Sequence, residues 1–142
     1  MAKTTAADAF DFDAFDTSVA SEQGQEFEVM HPINGPTGLF IRMKGTHSEQ
    51  VKAEMKRIAN RAKAARAGTV RKDDEDEGAR FLASISVGWR SVDSNGNARP
   101  VTLGGEELPF STENAFRVYK KYPLVAEQAS TFVFNAANFL KS

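Results

Sequence analysis

The chain has 142 residues, 41% of them hydrophobic and 26% charged, with a formal net charge of −1. That length suits one domain with a buried core. The near-neutral balance provides no overall field toward nucleic acid or an anionic membrane, and the absence of cysteine excludes disulfides and thiolate metal sites.

No apolar run reaches the ~18 residues that suggest a membrane-spanning helix. The N-terminus has no basic stretch followed by an apolar core, so no secretory signal is expected and the default location is cytoplasmic. Residues 1–24 are expected to form a disordered arm rich in Ala, Asp, Ser and Thr. Within it Phe10, Phe12 and Phe15 are interleaved with Asp8, Asp11, Asp13 and Asp16. Such a segment either docks, in cis or in trans, or serves as a solubilising tail whose phenylalanines lie back on the domain.

Folded structure is predicted over residues 25–142. Phe27, Val29 and His31 alternate with Glu28 and Met30, the period of a strand. Pro32 to Gly38 carries a strong turn signal, and Leu39 to Lys44 reads as a second strand, which together make a β-hairpin with a longer loop. The first helix begins at a capping box over Thr46–Glu49, with Ser48 an equally good cap. Val51, Met55, Ile58, Ala62 and Ala65 form its apolar stripe, and Gly68 is expected to stop it. Residues 73–77 are all acidic and read as a solvated linker or as the start of the next helix, placed from Glu77 to about Val87.

Trp89 to Leu103 is expected to be extended around an Asn95-Gly96 turn, with Val92 and Val101 flanking it. Ser111 caps a third helix with Ala115, Phe116 and Tyr119 on one side, and Lys120 and Lys121 suit its C-terminal end. Pro123 interrupts the chain. A final helix from Leu124 to Leu140 is predicted from the spacing of Val125, Ala129, Phe132, Ala136 and Phe139. The fold class is therefore α+β: a mainly helical single domain with an N-terminal β-hairpin and a disordered N-terminal arm.

Catalytic chemistry finds little support. His31 and His47 do not pair with another ligand at metal-binding spacing, no Gly-x-Ser-x-Gly elbow occurs, and no nucleophile–base–orienter set is visible. A non-enzyme without cofactor or metal is expected. The cations Lys52, Lys56, Arg57, Arg61, Lys63 and Arg66 on the first helix, with Arg71 and Lys72 just beyond it, have three readings: a solvated face, a phosphate-tracking surface, or a face for an acidic partner. No aromatics interleave with them, which disfavours stacking on single strands.

From Phe27 onward the chain resembles the tail assembly chaperones of long-tailed bacteriophages. The resemblance rests on Phe27 to Pro32 with Gly35 and Gly38 before a strand, and on the Lys44-Gly45 to Ser48 start of a helix rich in Arg, Lys and Ala. It rests further on Gly88-Trp89 followed by Leu108-Pro109-Phe110-Ser111-Thr112-Glu113-Asn114, on Tyr122-Pro123, and on a final Asn138-Phe139-Leu140-Lys141. It implies a protein that binds the tape measure protein while tail tube protein polymerises, in the host cytoplasm and absent from the mature virion. It also implies a longer form made by frameshifting, for which Phe139-Leu140-Lys141 is compatible with a slippery codon run. Trp89, Phe110, Phe116, Tyr119 and Tyr122 are candidate client contacts, aromatics being common binding hot spots, although each is also a plausible core residue. The competing readings are a structural tail component retained in the virion, such as a completion or terminator protein, and a small nucleic-acid-binding regulator. The sequence does not fix the oligomeric state.

Overall fold

A computed structural model describes residues 9–67 and 74–140. Asp8, the expected stop at Gly68, Arg71, Lys72, Asp73 and Lys141 lie outside the described residues, as do the side chains of Ala65, Asp74 and Glu75. The fold is α+β. In chain order, helix α1 (Ser18–Gln23) precedes strands β1 (Gln25–His31) and β2 (Gly35–Met43), then helices α2 (Glu49–Arg66) and α3 (Asp74–Ile85). Strands β3 (Ser86–Val92), β4 (Ala98–Arg99), β5 (Thr102–Leu103) and β6 (Glu106–Glu107) follow, and helices α4 (Thr112–Lys121) and α5 (Pro123–Val133) complete it. Short 3₁₀ turns occupy Phe12–Phe15 and Ala136–Phe139.

The main sheet is antiparallel in the order β1-β2-β3-β4. Alternation sorts its two faces. Phe27 lies opposite Ile41, and Ile41 opposite Trp89, on the face that joins Phe81, Leu82, Ile85, Ala115, Tyr119, Ala129 and Val133 in one core. Glu28, Phe40 and Arg90 line up on the other face. There the Arg90 guanidinium lies 4.5 Å from the Phe40 ring centroid and grips Glu26 with bonds of 2.8 and 2.9 Å, holding that carboxyl below its usual range. Exposed pairs of this kind add little stability.

The hairpin is tighter than expected, because β2 begins at Gly35 and leaves only Pro32–Asn34 as the turn. The Asn95-Gly96 turn forms, with the Asp93 carboxylate accepting from the backbone N–H groups of Asn95 and Asn97, each at 2.9 Å. Its register pairs Val92 with Ala98, so Val101 is not the partner of Val92. Val101 instead accepts from the Leu108 amide at 2.7 Å beside a second small ladder, which turns at Gly104 and Gly105.

Helix α3 starts at Asp74, which makes Asp74–Glu77 its acidic opening. It ends at Ile85 rather than Val87, and β3 follows without a loop. The Ser86 hydroxyl donates to Leu82 O at 2.8 Å, and Val87 falls where the β2–β3 register shifts. Helix α2 takes Ser48, not Thr46, as its cap: Ser48 Oγ accepts from the Val51 amide at 3.1 Å. Among the described residues of its expected stripe only Val51 is fully buried; Met55 is 44% exposed, while Ile58 and Ala62 are half-buried.

Two further expectations are corrected. The final helix does not reach Leu140. It stops at Val133, Asn135 accepts from the Ala137 amide at 3.2 Å, and Asn138 Nδ2 donates to Phe132 O at 2.9 Å. These short amides compete with helical backbone bonds and turn Phe139 into the core, leaving Ala136 exposed. The arm expected to be disordered through residue 24 is helical over Ser18–Gln23 and tied to the domain by polar contacts. Thr17 bonds the His47 imidazole, Ser21 O accepts from the Gly45 amide at 3.0 Å, and Arg42 donates to Gly24 O at 2.8 Å. The Glu22 carboxylate accepts from the Glu49 amide at 2.5 Å, satisfying an otherwise open donor at the start of α2.

Candidate partner-binding surface

The five aromatics read as client contacts fall in different places. Trp89 is half-buried, its Nε1 donating to Leu108 O at 3.2 Å and its ring meeting Phe110 edge-on at 5.1 Å. Together they line a cleft of about 420 Å³ with Arg90, Arg99 and Pro109. Phe116 is also half-buried, with Arg80 and Lys120 at 5.0 and 5.8 Å from its ring centroid, facing a cleft of about 570 Å³ between α2, α3 and α4.

Tyr119 is a core residue, 3% exposed, and is corrected from a surface contact to an internal one. Its hydroxyl lies 2.7 Å from Ser86 Oγ. Because Ser86 uses its own proton on Leu82 O, Tyr119 is the donor of that bond. Burial pushes the phenol up to about 12 against an ordinary 10.0. A raised folded pKa contributes stability that is fully present below the unfolded value and lost as pH rises through the folded value. Between pH 10 and about 12 the loss should approach about 3 kcal/mol. Tyr119→Phe should flatten it, as read by denaturant unfolding at about pH 9 and about pH 11.5. An equal alkaline loss in Tyr119→Phe would contradict the assignment.

Tyr122, 37% exposed, sits at the break between α4 and α5 and borders a pocket with almost no polar lining. That pocket, about 240 Å³, is lined mainly by Val29, Met30, Pro32, Tyr122, Pro123, Leu124 and Val125. Local chemistry builds it. Pro123 stands in the first turn of α5, where its fixed φ is preorganised and its missing N–H costs nothing. Gln128 of α5 both accepts from the Met30 amide and donates to Met30 O, each at 2.8 Å, at the point where the β1–β2 register shifts. This docks α5 on the edge strand. His31 Nδ1 accepts from the amides of Ile33 and Asn34, each at 3.1 Å, closing the hairpin turn. The result is a set of unburied large side chains: Ile33 at 87%, Leu124 at 57% and Met30 at 44% exposure. Sequence reasoning missed these three. The available signals were an isoleucine inside a Pro-Ile-Asn-Gly turn and a leucine directly after Tyr-Pro.

The basic residues lie along α2. Lys52, Arg57 and Arg61 have carboxylates of Glu49, Glu54 and Glu77 at 3.7, 3.0 and 3.8 Å. Lys56, Lys63 and Arg66 are exposed. Phe10, Phe12 and Phe15 do not lie back on the domain. They are 68%, 81% and 63% exposed and meet one another, with Phe10 at 5.0 Å from Phe12 and 5.9 Å from Phe15.

Among the described residues no group of three His, Asp or Glu side chains is placed to hold a metal ion, and no helix is long and apolar enough to cross a membrane. No protein-family model, curated protein or solved structure matches the chain.

Proposed function

We propose that this chain is a non-enzymatic binding protein of phage tail assembly: a chaperone that keeps the tape measure protein soluble while tail tube subunits polymerise around it. The observation that carries the reading is the open apolar surface where the β1–β2 turn meets the α4–α5 break. Met30, Ile33, Tyr122 and Leu124 are exposed around a pocket with almost no polar lining. A long helical client presents an apolar stripe, and helix-in-groove contact buries such a stripe from each partner. The resemblance described above names the client, and its Tyr122-Pro123 element forms the rim of this pocket. On this reading the protein acts in the host cytoplasm and leaves before the particle is complete. Leu140 is 40% exposed, so a frameshifted longer form would depart from the surface without disturbing the core.

Co-expression with the tape measure protein tests the surface. Ile33→Asp combined with Leu124→Asp should reduce the soluble, co-purifying client by about tenfold or more, the scale of losing a binding hot spot. Both positions are exposed, so the variant should keep the fold. A folded double variant that retains the client in full would eliminate this surface. Apolar client binding should also persist in moderate salt, whereas phosphate-backbone binding would weaken steeply.

A further inference from the structure

Two surfaces of opposite character lie on this chain, and no ion pair or cation–ring contact joins them among the described residues. The first is the segment from Phe10 to Asp16, which contains three phenylalanines, three aspartates and no cation. Its rings are held together at the surface by the 3₁₀ turn Phe12–Phe15, capped by the Asp11 carboxylate accepting from the Asp13 amide at 2.9 Å. Each ring remains more than 60% exposed, and apolar area left in water forgoes about 25 cal/mol per Å².

The second surface is α2, which carries six cations against two carboxylates. Lys52, Lys56, Ala59, Lys63 and Arg66 recur at steps of four and three and so share one helical face. Met55, one position from Lys56, is exposed beside them. Lys56, Lys63 and Arg66 make no ion pair among the described residues. A methionine and an alanine bordered by cations suit an aromatic segment bordered by carboxylates: sulfur and cations both attract aromatic rings, and the charges are complementary.

We infer that the Phe10–Asp16 segment of one copy lies along the Lys52–Arg66 face of α2 in a second copy. The rings cover Met55 and Ala59, and the carboxylates meet Lys56, Lys63 and Arg66. Each copy carries one donor segment and one acceptor face, and a pair in which both contacts form at once closes with two-fold symmetry. The inference goes beyond the proposed chaperone role and does not use the apolar pocket at the α4–α5 break.

Sedimentation velocity of the full chain tests it. The wild type should associate with rising concentration at about 50 mM salt and dissociate at about 500 mM, because exposed charge pairs are screened over a few ångströms at high ionic strength. Lys56→Glu with Lys63→Glu should leave the protein monomeric, as should Asp11→Lys with Asp13→Lys. Mixing these two variants should restore a pair, since each supplies the complementary charge of the other. Phe12→Ala, at a ring 81% exposed and so without a role in folding, should raise the dissociation constant about tenfold. A wild type that stays monomeric at low salt and about 200 µM would overturn the inference, affinities weaker than that being negligible for a specific pair. So would association indifferent to both charge swaps, or swapped variants that do not recover on mixing. Capture of duplex DNA by α2 in a protein that remains monomeric would also overturn it and assign the basic face to nucleic acid.

Discussion

Phe139→Ala is expected to lower the unfolding free energy by about 3–5 kcal/mol, the usual cost of removing a buried aromatic ring. Phe139 is 2% exposed and meets Phe132 edge-on at 5.4 Å. It also fills the space left by Gly45: a Cβ there would stand 2.8 Å from the Phe139 ring and 2.4 Å from Ser21 Oγ. One ring therefore joins the C-terminal turn, the β2–α2 connection and α1. A domain of this size has a total stability of about 5–15 kcal/mol, so the variant should lose a large fraction of it, and α1 should lose hydrogen-exchange protection together with the C-terminal turn. Phe134→Ala is the control. Phe134 is 53% exposed and stacks on Phe81 at 5.9 Å, so its loss should cost about 1 kcal/mol or less. Equal effects of the two substitutions in urea unfolding would contradict the packing described.

Gly38→Ala should cost about 2–4 kcal/mol by the sum of a left-handed backbone and overpacking. Gly38 has φ +78, and an added Cβ would lie 2.3 Å from Val92 O, a backbone atom that cannot rotate away. To accept it β2 and β3 must part where Leu39 pairs with Ser91, close to the 2.6 Å bond from Arg99 Nη2 to Thr37 O. Gly35 isolates the two contributions. It has the same φ of +78 with nothing within 4 Å of the added Cβ, so Gly35→Ala should cost only about 1 kcal/mol. If thermal unfolding ranks the two variants equally, the β2–β3 register is wrong. Because β1 and β2 carry the exposed Met30–Ile33 turn, Gly38→Ala should also weaken client binding.

Local chemistry was legible in the sequence. The Ser111 cap, whose Oγ accepts from the Asn114 amide at 3.0 Å, depends on residues three apart. The first hairpin was readable because Gly35 and Gly38 punctuate an alternating pattern. Tertiary competition was not legible. Ala136 and Phe139 keep helical spacing with Val125, Ala129 and Phe132, yet Asn135 and Asn138 end the helix through side-chain amides that a periodicity does not weigh. Helix α1 escaped notice because its anchors are Thr17, Ser21 and Glu22, polar residues that look like an unstructured tail until His47, Gly45 and Glu49 are brought to them. Tyr119 and Tyr122 are only three residues apart, but Tyr119 follows Ala115 by one helical turn into the core while Tyr122 ends the helix at the surface. The exposed apolar surface was invisible for a similar reason: Met30 and Ile33 belong to the first hairpin, Leu124 to the start of α5, and they are brought together by the Gln128–Met30 pairing and the Phe27–Phe132 stack.

Quantitative mass spectrometry of this chain in infected-cell lysate and in purified particles from the same infection addresses the assembly role most directly. A transient chaperone should be abundant in lysate, co-purify there with the tape measure protein, and be missing from finished particles. Its presence in particles at fixed stoichiometry would contradict that role and make it a structural tail component, such as a completion or terminator protein.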